Sequence, residues 1–331
     1  MKILMKDILE RRSRIAGISS LVFFLALLIL PFLLTNAYYL HVLILCMIYA
    51  CITSAWNMIA GYAGVFSFGF QALFGIGAYV SALLSMRLGI SPWISMWAGA
   101  IAAMAIGAVV AIPSLKLKLL PYICIATMCM GEIIRLAVAN FTTLTRGEMG
   151  LTNIPKLFAD GNRTAYYYLA VVMFVLILAV VVKIVNSPMG MSMQAMKDSQ
   201  EASESLGINI SRTKIRIYMI GAFMAGLVGA FYAHYICILT PTSALGSSLM
   251  TSYVAMSLIG GIGTIVGPVL GSFVITIALE VLRALADYRM IFYALLIIVT
   301  IIFLRAGIWG SVKQIFISKA ERFRNRSKEQ G

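Results

Sequence analysis

The sequence predicts an all-α, polytopic membrane helix bundle, and three observations carry that prediction. The chain has 331 residues, 61% of them apolar and only 11% charged, too little polar surface to solvate an ordinary globular domain. Apolar stretches near the roughly 20 residues that cross a bilayer as a helix recur from Gly17–Leu34 to Met290–Leu304. Basic residues punctuate these stretches unevenly, collecting in alternate loops.

Taken in chain order, about ten stretches meet the length criterion: 17–35, 38–60, 64–87, 92–112, 122–140, 165–185, 215–237, 248–264, 266–286 and 289–306. The first has a basic flank like a signal peptide, but its apolar core is longer than the usual 7–15 residues, so it is expected to stay as an anchor. The Gly-rich regions 61–77 and 259–271 suit broken or re-entrant segments as well as straight helices.

With the N-terminus inside, Lys2, Lys6, Arg11, Lys116, Lys183, Lys197, Arg212, Lys214, Arg216 and Arg305 are among those that fall on one side of the membrane, and Arg87, Arg146, Lys156, Arg163, Arg283 and Arg289 on the other. The positive-inside rule then makes both termini cytoplasmic. The expected organisation is a basic cytoplasmic N-terminus (1–16), a transmembrane domain (17–306) with a cytoplasmic loop at 186–214, and a basic cytoplasmic tail (307–331). The net charge of +14 is accounted for by topology and anionic headgroups; no soluble domain exists to carry a nucleic-acid groove.

The catalytic signatures sought are missing. There is no G-x-x-x-x-G-K-[ST] loop, no G-x-S-x-G and no H-E-x-x-H. The five cysteines read as core filler, and His41 and His234 as packing or interfacial residues without a sequence-near acid or second His. No metal or cofactor is expected in the chain itself.

Glycine placement is informative. Gly99, Ala103, Gly107 and Ala111 recur every four residues, as do Gly221, Ala225, Gly229 and Ala233, a spacing that lets helix backbones approach closely in lipid. Gly61, Gly64, Gly69, Gly75 and Gly77 crowd a stretch that also holds Asn57, Ser67 and Gln71, and Gly260, Gly261, Gly263, Gly267 and Pro268 form a second crowd. Unwound backbone at membrane depth survives where protein buries it or where it lines a wet cavity, which makes these residues candidates for a translocation path. Glu132 and Arg135 lie within one predicted span, where an unpaired charge would cost on the order of 3 kcal/mol; at i,i+3 they can face each other, and a structural ion pair between helices competes with a direct role in transport.

Residues 193–214 form the longest polar run between apolar stretches. Ser187-Pro188 can start a helix there and Gly207 can stop it. Met193, Met196, Gln200 and Ser203 share a face by helical spacing, with Ala202 and Leu206 near its edge and Lys197, Asp198, Glu201 and Glu204 on the remainder. By itself this fits a solvated loop or an amphipathic helix for a groove on a soluble partner equally well.

Five ordered motifs, "GYAGVFSFGFQALFGIGAY", "GEIIRL", "GLTNIP", "AMKDSQEASESLGINI" and "SLIGGIGTIVGPVLG", make the region from about 38 to 283 resemble the permease subunits of branched-chain amino acid (LIV-type) ABC importers. The resemblance implies a bacterial inner-membrane importer with a second homologous permease, two ATPase subunits that bind ATP and Mg, and an extracytoplasmic solute-binding protein docked on the outer loops. It also implies alternating access, with Met193, Met196, Gln200, Ala202, Ser203, Glu204, Leu206 and Gly207 coupling the chain to the ATPases. Phe70, the run Arg146-Gly147-Glu148-Met149-Gly150 and Met191 depart from the family's pattern, and relatives of this type also carry urea, amides or other amino acids. An ion-coupled secondary transporter would need ionisable residues in its spans, of which Glu132 is the only clear acid; a membrane enzyme would need clustered acids or histidines near one interface.

Overall fold

Asn36 accepts a hydrogen bond from the Tyr38 amide and starts α1 (Ala37–Asn57), which passes into a π-helical turn at Met58–Tyr62. The computed structural model describes residues 30–31, 36–117, 119–158, 162–283, 291, 294–295, 298 and 307–311. Chain order continues with α2 (Phe70–Arg87), α3 (Pro92–Lys116, proline in the first turn), α4 (Leu120–Asn140) and the short α5 (Thr142–Thr145). A 3-10 turn at Gly147–Met149 leads to β1 (Leu151–Thr152). Asn162 caps α6 (Arg163–Val185); α7 (Pro188–Asp198) and α8 (Gln200–Ser205, capped by Ser199) follow. Asn209 then caps α9 (Ile210–Ile236). β2 (Ile238–Leu239) pairs antiparallel with β1, Leu151 opposite Leu239, and adds a small ladder to the expected all-α bundle. The capping-box helix α10 (Pro241–Leu245), α11 (Ser247–Gly260) and α12 (Val266–Val281) complete the order.

Five helices among the described residues are long and apolar enough to cross a membrane: Ala37–Tyr62, Pro92–Lys116, Leu120–Asn140, Arg163–Val185 and Ile210–Ile236. Five of the ten expected spans are thus present among the described residues. The stretch 64–87 is helical only from Phe70, and 248–264 only to Gly260. These helices have 18 and 14 residues and α12 has 16; α11 and α12 are shorter than the roughly 17–25 residues of a full crossing. The predicted spans 17–35 and 289–306, and the basic termini, lie almost wholly outside the described residues.

α9 is the central helix because it carries small residues around much of its circumference. Its Gly226 meets Ala100 and Ala103 of α3, its Gly221 meets Ile59 and Phe70, and its Gly229 meets the Phe74 carbonyl of α2. The α3 stripe thus seats on the 218–226 face of α9, while the predicted 221–233 stripe faces α1 and α2. α1 is buried along its second half and runs into a buried π turn, with Trp56, Met58 and Ile59 at 0% exposure. α4 is the opposite: Tyr122, Ile125, Met128, Ile133 and Leu136 are all exposed along its length.

The bundle has two chemically distinct ends. At the ladder end, Arg87 donates to the Thr143 and Leu144 carbonyls, Arg163 to the Ala37 carbonyl (3.1 Å), and the Tyr38 hydroxyl to Glu280 (2.6 Å). At the other end lie α7, α8, the π turn and the start of α9, whose Lys214 donates to the Ser114 carbonyl (2.8 Å). Among the described residues, Arg87 and Arg163 at one end and Lys197 and Lys214 at the other separate as the sequence divides them.

Candidate functional site

The two glycine-rich regions meet. Asn57, the last residue of α1, accepts from the Gly263 amide (2.8 Å) and the Ser257 hydroxyl (3.3 Å) and donates to the Thr264 carbonyl (2.8 Å). One buried amide thereby ties the end of α1 to the unwound link between α11 and α12, 206 residues away in sequence. A Cβ on Gly61 would overlap Asn57 Oδ1 and the Gly263 amide, so this approach requires glycine. Gly261 packs in turn against Gly307. Gly260 and Gly267 form the inner face of the α11–α12 turn, with Pro268 buried behind them.

The second unwound stretch, 63–69, has part of its backbone bonded by side chains, which unwound backbone inside a bundle requires. Trp56 Nε1 donates to the Ser67 carbonyl (2.8 Å) and the Phe68 amide donates to Thr127 Oγ1 of α4 (3.0 Å). Gly69 abuts the Thr127 carbonyl and Gly131; Ser67 and Gln71 are buried beside it. Gly75 faces Ala244 and Leu245, and Gly77 faces Gly226, so these two serve helix packing. The candidate path residues thus divide: Asn57, Gly61, Gly260, Gly261, Gly263 and Gly267 share one junction, Gly64 borders it, Ser67 and Gly69 lie in the unwound stretch against α4, and Gln71, Gly75 and Gly77 line helix contacts along α2.

α7 and α8 sit on this junction. Met193 and Met196 are buried against the bundle at 0% and 1% exposure, and Ser203 is buried too. These three were expected on a partner-facing surface; instead they face inward, because the apolar stripe of a short helix covers the nearest apolar surface, here the bundle's own. Gln200 is half-buried, near Lys214. The open side of the pair carries Ala202, Glu204, Met191 and above all Leu206, 80% exposed beside Gly207. Gly207 stands in the left-handed region (φ 82°) with open space around it. Lys197 is exposed, as expected of a solvent-facing charge, yet its Nζ reaches the bundle and donates to the Gly61 carbonyl (2.8 Å). Its position four residues after buried Met193 is the sequence signal for this.

Glu132 and Arg135 do pair, but within α4 and not between helices. Arg135 Nε and Nη2 both donate to Glu132 Oε1 (2.8 and 2.6 Å), and Glu148 of the ladder-end loop stands 3.6 Å from Arg135. The pair lies on the open side of α4, with the Glu132 side chain 42% exposed.

One cluster escaped sequence reasoning. Ser81 and Ser85, one turn apart on α2, meet Ser95 of α3 (2.9 and 2.8 Å), and His234 Nε2 lies 2.8 Å from Ser81 Oγ. His234 Nδ1 donates to the Pro155 carbonyl (2.7 Å), since a carbonyl can only accept. This holds the ladder-end loop to the bundle. His234→Leu is expected to leave buried polar groups unpaired and to cost about 1–3 kcal/mol, read as earlier thermal unfolding of the purified protein. Cys46 and Cys51 are buried as expected, whereas Cys129 is exposed on α4.

The family model for the permease component of branched-chain amino acid transport systems matches residues 38–304. The chain is 27% identical to the high-affinity branched-chain amino acid transport system permease protein LivM of Escherichia coli (strain K12), over 86% of this chain and 74% of that one. It is 26% identical to the LivH permease protein of the same organism, over 79% of this chain and 91% of that one. A shorter match, 36% identical over 32% of this chain and 34% of the relative, is to the probable ABC transporter permease protein y4mJ of Sinorhizobium fredii. No solved structure matches. With its junction of broken helices inside the matched region, the chain belongs to the family of branched-chain amino acid transport permease components.

Proposed function

We propose that the chain is one of two permease subunits of an ATP-driven importer for branched-chain amino acids in the cytoplasmic membrane. The ladder end faces outward, toward a solute-binding protein, and the α7–α8 end faces the cytoplasm with both termini. Two ATPase subunits, carrying ATP and Mg, supply the work. Similarity to both LivM and LivH supports pairing with a related permease, and the exposed face of α4 with Glu132 and Arg135 offers that partner a surface. Alternating access would then open and close a path between the two permeases, along α4 and the unwound segments.

The observation that carries this reading is the α7–α8 pair, held to the bundle by Met193, Met196 and Lys197 yet presenting Leu206 outward. A large aliphatic side chain 80% exposed at the tip of a short helix suits an anchor for a pocket on a soluble subunit. Leu206→Asp is expected to lower ATPase co-purification about tenfold or more, because an apolar anchor is replaced by a charge. Glu204→Ala and Gly207→Ala are expected to weaken substrate-stimulated ATP hydrolysis while membrane insertion stays intact. Normal stimulated hydrolysis in all three variants would reject the coupling role. An ion-coupled secondary transporter is not favoured: the family relatives are permease proteins of transport systems, and Glu132 is already paired with Arg135.

A further inference from the structure

The Gly61 carbonyl belongs to the last turn of the α1–π element, where carbonyls have no partner within the helix. A Lys ammonium from another element fills that vacancy, complementing the negative end of the helix dipole. Gly61 is also the residue whose close approach brings Gly263 against Asn57. Lys197 Cγ lies 3.0 Å from where a Gly64 side chain would begin, and its Nζ 3.7 Å from where a Gly263 side chain would begin. The same lysine therefore borders both unwound links at once.

We infer that Lys197 is a positioning residue that transmits displacement of the α7–α8 pair to the junction of the two broken helices, through the Gly61 carbonyl and the Asn57–Gly263–Thr264 bonds. The inference rests on the coupling role proposed above. A helix pair that moved without this bond would slide on Met193 and Met196, whose apolar contacts with the bundle are non-directional. The lysine bond is directional, and it ends on a segment with left-handed glycines at 261 and 263, where the backbone can re-aim. It thus selects which part of the bundle follows the short helices.

The test uses the complete transporter, with both permeases, ATPases and binding protein, in proteoliposomes. In the wild type, binding of a non-hydrolysable ATP analogue is expected to change amide hydrogen exchange over residues 258–266. Lys197→Met is expected to abolish that change with the ATPases still bound, and to lower leucine moved per ATP by about tenfold. Lys197→Arg, which keeps a cationic donor, is expected to restore both. The inference is overturned if the exchange change survives in Lys197→Met, if the wild type shows none there, if Lys197→Arg fails to rescue, or if Lys197→Met loses its ATPases. A wild-type chain that binds no ATPase overturns the coupling role itself, a result distinguishable from all of these.

Discussion

Gly260→Ala is expected to be among the most damaging single-methyl additions in the chain. Its Cβ would overlap the Gly267 carbonyl and press on the Gly271 amide, backbone atoms that no rotamer change can move aside. Gly271 repeats the arrangement against the Met256 carbonyl. The α11–α12 hairpin would have to open, and Asn57 would lose the geometry that joins it to Gly263 and Thr264. The cost should reach the upper part of the roughly 1–3 kcal/mol of ordinary overpacking. Unfolding of the purified protein in mixed micelles measures it. Gly207→Ala is the matched control: nothing stands within 4 Å of its added methyl, so only left-handed backbone strain of roughly 1 kcal/mol remains. Equal destabilisation by the two changes would refute the packing explanation.

Glu132→Gln is expected to have the second large effect. It leaves the Arg135 guanidinium in an apolar helix with only Glu148, 3.6 Å away, as a nearby anion. An isolated charge at span depth costs on the order of 3 kcal/mol. That value is an upper bound here, since Arg135 sits near the ladder end and both side chains keep some exposure. Removing both charges together, Glu132→Gln with Arg135→Gln, should recover most of the lost stability, because it is the unpaired partner that is costly. Transport separates structure from function. If the pair only stabilises α4, the double variant moves leucine normally; if it lines the path, the double variant folds and leaves uptake depressed about tenfold or more.

Much of the architecture was legible because it rests on length and periodicity. α1, α3, α4, α6 and α9 fall within a few residues of the predicted stretches, since a long apolar run in lipid has no alternative to closing its hydrogen bonds as a helix. The breaks near 61–69 and 260–267 were legible as glycine crowding. What composition did not reveal is that they touch, because contact across 206 residues leaves no periodic trace. The orientation of α7 misled for a related reason. Helical spacing identifies a stripe such as Met193, Met196 and Ser203, but a stripe does not state which neighbour it covers. The His234–serine cluster was illegible because its members come from three helices, each with one or two unremarkable polar residues.

The sequence by itself determined that this chain is a membrane helix bundle with two glycine-broken regions, a polar helical segment between apolar runs, and the motifs of its permease family. Those properties follow from hydrogen-bond closure and apolar transfer, which act locally along the chain. Only the tertiary structure decided that Asn57 and Lys197 gather the two broken regions and the short helices at one junction, that Met193 and Met196 face inward, and that Leu206 is left exposed. Such choices depend on which surfaces meet when helices close to backbone contact, and that is settled by three-dimensional packing among elements far apart in sequence.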